Sequence, residues 1–257
     1  MERQGSQLVQ GNPPTGGVVA ALLHHRFTIL LATLLAGLLV APVGLEVLAS
    51  AAPGAASWGL LVVSICLVLA CILAVGGRRR VLEFALGLGI PVLLLDLAAL
   101  WLWPGHLALI RPGTRALFLG FVIVASLRHL FRPRRITFDT ISASLCVYLL
   151  LGVCWANVFA VIETASPGAF VDKGGQDGGP RSSEDEGTRR FRLLYFSYVT
   201  LSSVGYGDIL PRTTLARMCA ITEALMGQGY LLVMVSRLVG IQVAQGQPPT
   251  APQGPPP

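Results

Sequence analysis

The feature that most constrains this chain is a series of six apolar runs, each close to the length of a membrane-crossing helix. A transmembrane helix needs about 20 predominantly apolar residues. The chain has 257 residues, of which 53% are hydrophobic and only 12% charged, so little length remains for a separate soluble domain. We therefore predict an all-α membrane protein. Its six predicted transmembrane helices are 27–48, 58–76, 81–103, 113–130, 137–162 and 213–242.

The two ends of the chain differ from this apolar middle. Residues 1–26 are polar with Gly and Pro, and residues 244–257 form a Pro-rich tail. Such segments cannot bury enough apolar surface to fold, so we predict disorder at both ends. Between them we predict a four-helix membrane domain, 27–135, and a second domain, 136–243. The first apolar run also resembles a signal peptide, but it begins far into the chain and is interpreted here as a helix.

Basic residues in the short loops predict the orientation in the membrane. Arginines cluster at residues 78–80 and 128–135, and loops rich in Arg or Lys favour the cytoplasmic side. Both termini are then cytoplasmic, and residues 163–190 lie outside. This distribution also accounts for the net charge of +6, so nucleic acid is not an expected partner. We expect a multi-pass protein of a cell membrane, with a composition typical of a bacterial inner membrane.

Residues 191–211 carry the most specific pattern in the sequence. The first dozen are apolar and aromatic but too few to cross a bilayer, which predicts a re-entrant helix over 191–202. The next five, 203–207, contain two glycines and cannot form a helix interior. At membrane depth such backbone is tolerated only beside protein or a water-filled path. A row of main-chain carbonyl oxygens there would replace the water shell of a cation.

The sequence TLSSVGYGD, residues 200–208, resembles the selectivity-filter signature of the tetrameric potassium channels. The resemblance extends over 137–242 as an outer helix, a re-entrant pore helix, a filter loop and an inner helix, with the pore helix and loop between helices five and six. Within the signature, Ser203 stands where the family has Thr, which keeps the oxygen and loses a methyl group. The resemblance implies a bacterial six-helix channel without an evident voltage sensor.

The resemblance also implies which residues bind the ion. The filter positions are Ser203, Val204, Gly205, Tyr206 and Gly207, and the potassium ions lie at the first four of them. One chain supplies one filter strand, so the resemblance implies a homotetramer around a central pore.

Further residues are expected to support this filter. The support positions are Tyr195, Thr200, Ser202, Asp208 and Glu223. Tyr195 is expected to hydrogen-bond Asp208. Glu223, an acid inside a span, is expected either to brace the filter or pore helix, or simply to bond a neighbouring helix.

Three residues of the last span are candidates for gating and permeation. Gln228 corresponds to a family position that faces the water-filled cavity. Gly227 and Gly229 are candidate gating hinges. Close packing of helices through small residues is the alternative explanation for both glycines.

The fourth span does not have the pattern of a voltage sensor. A sensor needs several Arg or Lys at every third position. Here Arg115 and Arg128 flank the span with no charge between them, so we predict little voltage gating. Glu83 and Asp96 in the third span are expected to pair with Arg115 or Arg128, or to mark a modulatory site.

These observations predict a passive potassium-selective channel whose partners are potassium ions, membrane lipids and three further copies of itself, without a cofactor. Two alternatives stay open. One is a cation channel of relaxed selectivity, because of Ser203, and the other is a non-conducting membrane scaffold. An enzyme is not expected, because the sequence contains no GxSxG, HExxH, phosphate-binding loop or cluster of His and Cys ligands.

Overall fold

The computed structural model describes residues 26–51, 55–76, 79–101, 108–131, 138–173 and 186–246. The predictions for residues 1–25 and 247–257 lie outside this part of the chain. The described elements are, in order, α1 (Arg26–Leu39), α2 (Ala41–Ala51), α3 (Ala55–Val75), α4 (Arg79–Trp101), α5 (Ile110–Leu130), α6 (Phe138–Ala165), β1 (Phe170–Asp172), α7 (Glu186–Leu201), β2 (Ile209–Pro211) and α8 (Thr214–Gly246).

Five helices of the described chain are long and apolar enough to cross a membrane, so the protein is a multi-pass membrane protein. These stretches are Ser57–Val75, Arg79–Leu100, Ile110–Leu130, Thr140–Ala165 and Thr214–Arg237. They correspond to the second to sixth predicted spans.

The first predicted span, 27–48, is divided between α1 and α2, and neither helix alone has the length of a span. Pro42 lies just inside α2. Because proline has no N–H, it cannot donate to the carbonyl of the residue four positions earlier, which explains the interruption. A six-helix topology therefore rests on α1 and α2 acting as one crossing.

Some element boundaries differ from the predicted ones. α8 continues to Gly246, so residues 244–246, which we expected to be disordered, are helical. No proline occurs between Pro211 and Pro248, so none interrupts the helix at these three residues. α7 begins at Glu186 rather than at residue 191, because its polar first turn carries no apolar signal.

Two short strands correct the all-α prediction. β1 and β2 pair antiparallel, with Phe170 opposite Pro211 and Asp172 opposite Ile209. Strands of three residues are too short to show an alternating pattern in the sequence, and their partners are distant along the chain. The sheet matters because β2 begins immediately after the predicted filter.

The two predicted membrane domains share one hydrophobic core. α1 packs along α6, and its buried Phe27 and Leu30 belong to the same cluster as Val147 and Leu150 of α6. The thiol of Cys146 lies 3.2 Å from the carbonyl oxygen of Phe27. Helices on both sides of residue 135 are therefore fixed against each other.

A second cluster anchors the sheet to α7. The rings of Phe159 in α6, Phe170 in β1 and Phe196 in α7 meet edge to face, with centroids 5.1 to 5.2 Å apart. Aromatic pairs of this geometry contribute about 0.5–1.5 kcal/mol each beyond their burial. The cluster places β1 and β2 at one end of α7.

Asp96, near the end of α4, is buried among basic and polar groups. It accepts hydrogen bonds from Arg115 and, across 2.5 Å, from Ser64. The Nε atom of Arg111 lies 3.6 Å from the same carboxylate. The expected pairing of Asp96 with Arg115 is thus confirmed, and it fastens α4 to α5.

The expected pairing of Glu83 with Arg115 or Arg128 was wrong. Glu83 is exposed and pairs with Arg79, one turn earlier on α4, across 3.7 Å. Neighbours four residues apart on a helix surface meet without any tertiary contact, so Glu83 needs no partner on α5.

Candidate ion-binding filter

The predicted filter begins where α7 ends. α7 has 16 residues, which at about 1.5 Å per residue makes it shorter than the roughly 30 Å hydrocarbon core of a bilayer. Its end is closed by hydrogen bonds from Ser202 N to the carbonyl oxygen of Tyr198 (3.0 Å) and from Ser203 N to that of Thr200 (2.9 Å). Residues 204–207 are neither helix nor strand.

The backbone from Ser203 to Gly207 alternates in the sign of φ. Ser203, Gly205 and Gly207 have φ of 57°, 59° and 71°, whereas the intervening Val204 and Tyr206 are not in this region. Glycine adopts positive φ without a Cβ clash, which explains the two glycines, and a non-glycine residue does so only occasionally. Alternation of this kind turns successive peptide groups toward the same side.

The amide groups at the start of this segment are tied to α7. Val204 N and Gly205 N both donate to the carbonyl oxygen of Val199, across 3.0 and 3.3 Å. Within the described part of the chain, no hydrogen bond reaches the carbonyl oxygens of residues 203–207. These oxygens are therefore available to a cation.

Asp208 closes the segment at the end next to the sheet. The hydroxyl of Tyr195 donates to its carboxylate across 2.7 Å, and Ile209 N donates to the other carboxylate oxygen across 3.0 Å. The Tyr195 bond holds the pKa of Asp208 below its ordinary value, and the same bond raises the pKa of Tyr195 to about 12. Lys173 N donates to the Asp208 carbonyl oxygen across 2.8 Å, which joins β1 to the filter.

Glu163, which the sequence analysis did not single out, holds the other end of this sheet. Its carboxylate accepts hydrogen bonds from Gly168 N (3.1 Å) and Phe170 N (3.0 Å) and lies 4.0 Å from the guanidinium group of Arg192 on α7. Gly168 has a φ of 82°, which favours glycine at this turn. An acid in the last turn of an apolar span was the sequence signal for this residue.

Glu223 of α8 is fully buried and contacts α7. The Ser197 hydroxyl of α7 lies 2.5 Å from Glu223 Oε1 and 2.8 Å from the carbonyl oxygen of Gly152 on α6. A hydroxyl has one hydrogen, so the Ser197 hydroxyl either shares it between the two oxygens or donates it to Gly152 while a protonated Glu223 carboxyl donates to Ser197. Three helices meet at this one hydroxyl.

The opposite end of the filter contacts α8. Gln228 donates from its side-chain nitrogen to the Ser203 hydroxyl across 2.9 Å. The Ser202 hydroxyl donates to the carbonyl oxygen of Tyr198 across 2.6 Å. Thr200 contacts the filter through its carbonyl oxygen, which accepts from Ser203 N.

The two hinge candidates differ in their surroundings. α8 runs as one helix through both glycines. A Cβ atom at Gly227 would lie 2.4 Å from the carbonyl oxygen of Leu201, whereas one at Gly229 would meet nothing within 4 Å. Gly227 thus lets α8 approach the end of α7 closely.

Comparison with known proteins shows the class of protein to which this chain belongs. Residues 143–243 match a family model described as ion channel, so the protein belongs among ion channels rather than enzymes. Protein LctB of Bacillus caldotenax is 30% identical over 131 residues, which make up 48% of this chain and 92% of that protein. The chain belongs to the pore-loop potassium-channel family.

Two further relatives match shorter parts of the chain. Two pore potassium channel a of Oryza sativa subsp. japonica is 29% identical over 111 residues, covering 43% of this chain and 26% of that protein. Potassium channel protein kcv of Paramecium bursaria Chlorella virus 1 is 33% identical over 66 residues, covering 26% of this chain and 65% of that protein. The chain thus spans about a quarter of the length of the rice relative.

Proposed function

We propose that this protein is a passive potassium-selective channel, a homotetramer whose four filter segments surround one pore in a cell membrane. The observation that carries the proposal is the alternating backbone of residues 203–207. The amides of Ser203, Val204 and Gly205 donate to carbonyl oxygens of α7, and the carbonyl oxygens of the segment can replace the hydration shell of a cation. The potassium-channel names of two relatives support potassium as the ion.

The proposed tetramer is supported by two features of the single chain: its one filter segment and the exposed side chains on that segment. A single filter segment cannot surround an ion, and the side chains of Val204 and Tyr206 are 53% and 71% exposed. Apolar side chains of this size at membrane depth favour contact with further copies of the chain. Four copies would place four rows of carbonyl oxygens around a common axis.

We propose little voltage dependence and cytoplasmic termini. Arg115 at the start of α5 is paired with Asp96, with Arg111 close by, and Arg128 lies in the last turn of the same helix. Paired arginines at fixed positions carry little gating charge through the field. The arginine distribution among the loops favours the proposed orientation and is typical of a bacterial inner membrane.

The supporting residues have separate proposed roles. Asp208 and Tyr195 hold the outer end of the filter, and Glu223 braces the pore helix through Ser197. Gln228 faces the cavity beside the innermost ion site. For Gly227, close packing against α7 is favoured over hinge bending by its contact with Leu201; Gly229 is the better placed hinge.

Purified full-length protein in liposomes tests the proposal. We expect potassium flux, a reversal potential near the potassium equilibrium value in mixed potassium and sodium, and the mass of four chains in detergent. Gly205→Ala should abolish the flux, because it places a Cβ at a φ of 59°. Gly87→Ala, in open space on α4, is the matched control and should conduct like the wild type.

Substitution of Ser203, together with the ion flux of the wild type, distinguishes the selective channel from the two alternatives. If the smaller hydroxyl side chain loosens the innermost site, Ser203→Thr will increase the preference for potassium over sodium. Equal potassium and sodium flux in the wild type would favour the cation channel of relaxed selectivity. A folded tetramer without any flux would favour the non-conducting scaffold.

A further inference from the structure

A cavity of about 510 Å³ lies between the helices before the pore region and the pore region itself. It is bounded mainly by α1, α3, α5, α6 and α7, with single residues from α2 and α4, and has the size of a typical small-molecule site. Most of its wall is apolar. The apolar lining includes Leu34, Val63, Leu67, Phe118 and Val153.

The charged side chains that line the cavity lie together at one end of it, near the starts of α5 and α7. They are three arginines: Arg115 lies in the second turn of α5, and Arg189 and Arg190 lie near the start of α7. A Cβ at Gly113 would lie 4.0 Å from Val161, so the start of α5 is beside the end of α6. This is the side of the membrane on which the two-stranded sheet lies. The cavity is therefore apolar toward the bilayer centre and basic toward one surface.

Two donors in this cavity lack an acceptor. The Nε atom of Arg115 and the hydroxyl of Thr164 are buried without a hydrogen-bond partner in the described chain, and both residues line the cavity. Buried polar groups are nearly always paired, so an unpaired donor indicates a missing partner. Asp96 is the nearby acid, and it already faces both Arg115 and Arg111. The site thus favours a ligand that supplies negative charge and acceptor oxygens.

We propose that the cavity binds one acyl chain of an anionic phospholipid. The phosphate lies against Arg115, Arg189 and Thr164, and the chain occupies the apolar part. A phosphate offers acceptor oxygens only, which matches donors that have no acceptor. The acyl chain matches the wall and would reach the cavity from the surrounding bilayer. This site is separate from the proposed conduction pathway, because none of residues 203–207 lines it.

Native mass spectrometry of the purified full-length protein tests the proposal with phosphatidylglycerol and phosphatidylcholine of identical acyl chains. We expect phosphatidylglycerol to be retained preferentially. Arg189→Gln should weaken its binding about fivefold, the effect of about one basic residue near a lipid surface. Gly37→Leu should abolish binding, because Gly37 lines the cavity and an added side chain meets nothing within 4 Å.

Two matched variants control for the fold and for charge. Gly87→Leu adds the same side chain in open space on α4, and Arg212→Gln removes an exposed arginine on the same side of the membrane. Neither residue lines the cavity, and both variants should bind phosphatidylglycerol like the wild type. Equal retention of the two lipids, or unchanged binding in Gly37→Leu, would overturn the proposal. Uptake of palmitate without phosphatidylglycerol would also overturn it, in favour of a free fatty acid.

Discussion

The hydroxyl of Tyr195 donates a hydrogen bond to the carboxylate of Asp208 across 2.7 Å, and thereby joins α7 to the end of the proposed filter. Because the bond lowers the pKa of Asp208, it is fully present above the ordinary carboxyl pKa of 3.8. It is lost as the pH falls through the lowered value. Tyr195, with its pKa raised to about 12, stays a donor throughout the physiological range.

Tyr195→Phe should therefore make the channel sensitive to milder external acid. Without the hydrogen bond, the pKa of Asp208 rises toward its ordinary value, so the carboxylate protonates at a higher pH. Potassium flux into liposomes as a function of external pH measures the midpoint, which should shift upward. Asp208→Asn, which cannot titrate, should remove this midpoint. Identical midpoints in the wild type and Tyr195→Phe would contradict the assigned contact.

Ser197→Ala should destabilise the protein by about 2 kcal/mol, the cost of leaving buried hydrogen-bonding groups unpaired. The change removes the shared partner of Glu223 and the Gly152 carbonyl. Thermal unfolding in detergent measures the loss. Ser126→Ala is the matched control. The Ser126 hydroxyl is buried without a hydrogen-bond partner in the described chain, so its removal should leave the unfolding temperature unchanged.

The companion variant Glu223→Gln should be tolerated better than Ser197→Ala. An amide N–H donates to the Ser197 oxygen as a protonated carboxyl does, so the contact between α7 and α8 survives. If Glu223→Gln lowers the unfolding temperature as much as Ser197→Ala, the carboxyl is charged and the Ser197 hydroxyl shares its hydrogen between the two oxygens.

Gly227→Ala should disrupt the contact between α8 and the end of α7. The added Cβ would lie 2.4 Å from the Leu201 carbonyl oxygen, and overpacking of this kind costs about 1–3 kcal/mol. Tetramer yield and potassium flux should both fall. Gly240→Ala, on the same helix with nothing within 4 Å, is the control. Wild-type behaviour of Gly227→Ala would show that close packing is not what the glycine provides.

Glu163→Gln should loosen the turn that leads to the sheet beside the filter. The amide has one acceptor oxygen where the carboxylate has two, so the bonds from Gly168 and Phe170 cannot both be kept at full strength. Loss of about 1.5 kcal/mol would speed amide exchange roughly tenfold at these two residues. Hydrogen exchange on the peptide covering 164–173 measures this. Glu83→Gln, at an exposed helix pair, should change nothing here.

The apolar spans and the non-helical backbone of residues 203–207 could be predicted from the sequence. Five of the six predicted spans coincide with long apolar helices, and the two glycines of residues 203–207 indicated non-helical backbone correctly. Span length and glycine conformation are local properties, so a short window of sequence contains all the information they need. Family membership followed from the same segment, because its signature is contiguous.

The contacts that hold the filter were decided only by the tertiary structure. Ser197 and Glu223 are 26 residues apart, and Glu163 meets Arg192 of another helix, so no periodicity connects them. The sheet joins residues on both sides of α7, and its strands are too short to show a pattern. Contacts between distant segments also produce three further features. These are the packing of α1 on α6, the close approach of α8 to α7 at Gly227 and the cavity beside Arg115. Each depends on which helix faces approach each other in space, and that is fixed by packing of the whole chain rather than by any single segment.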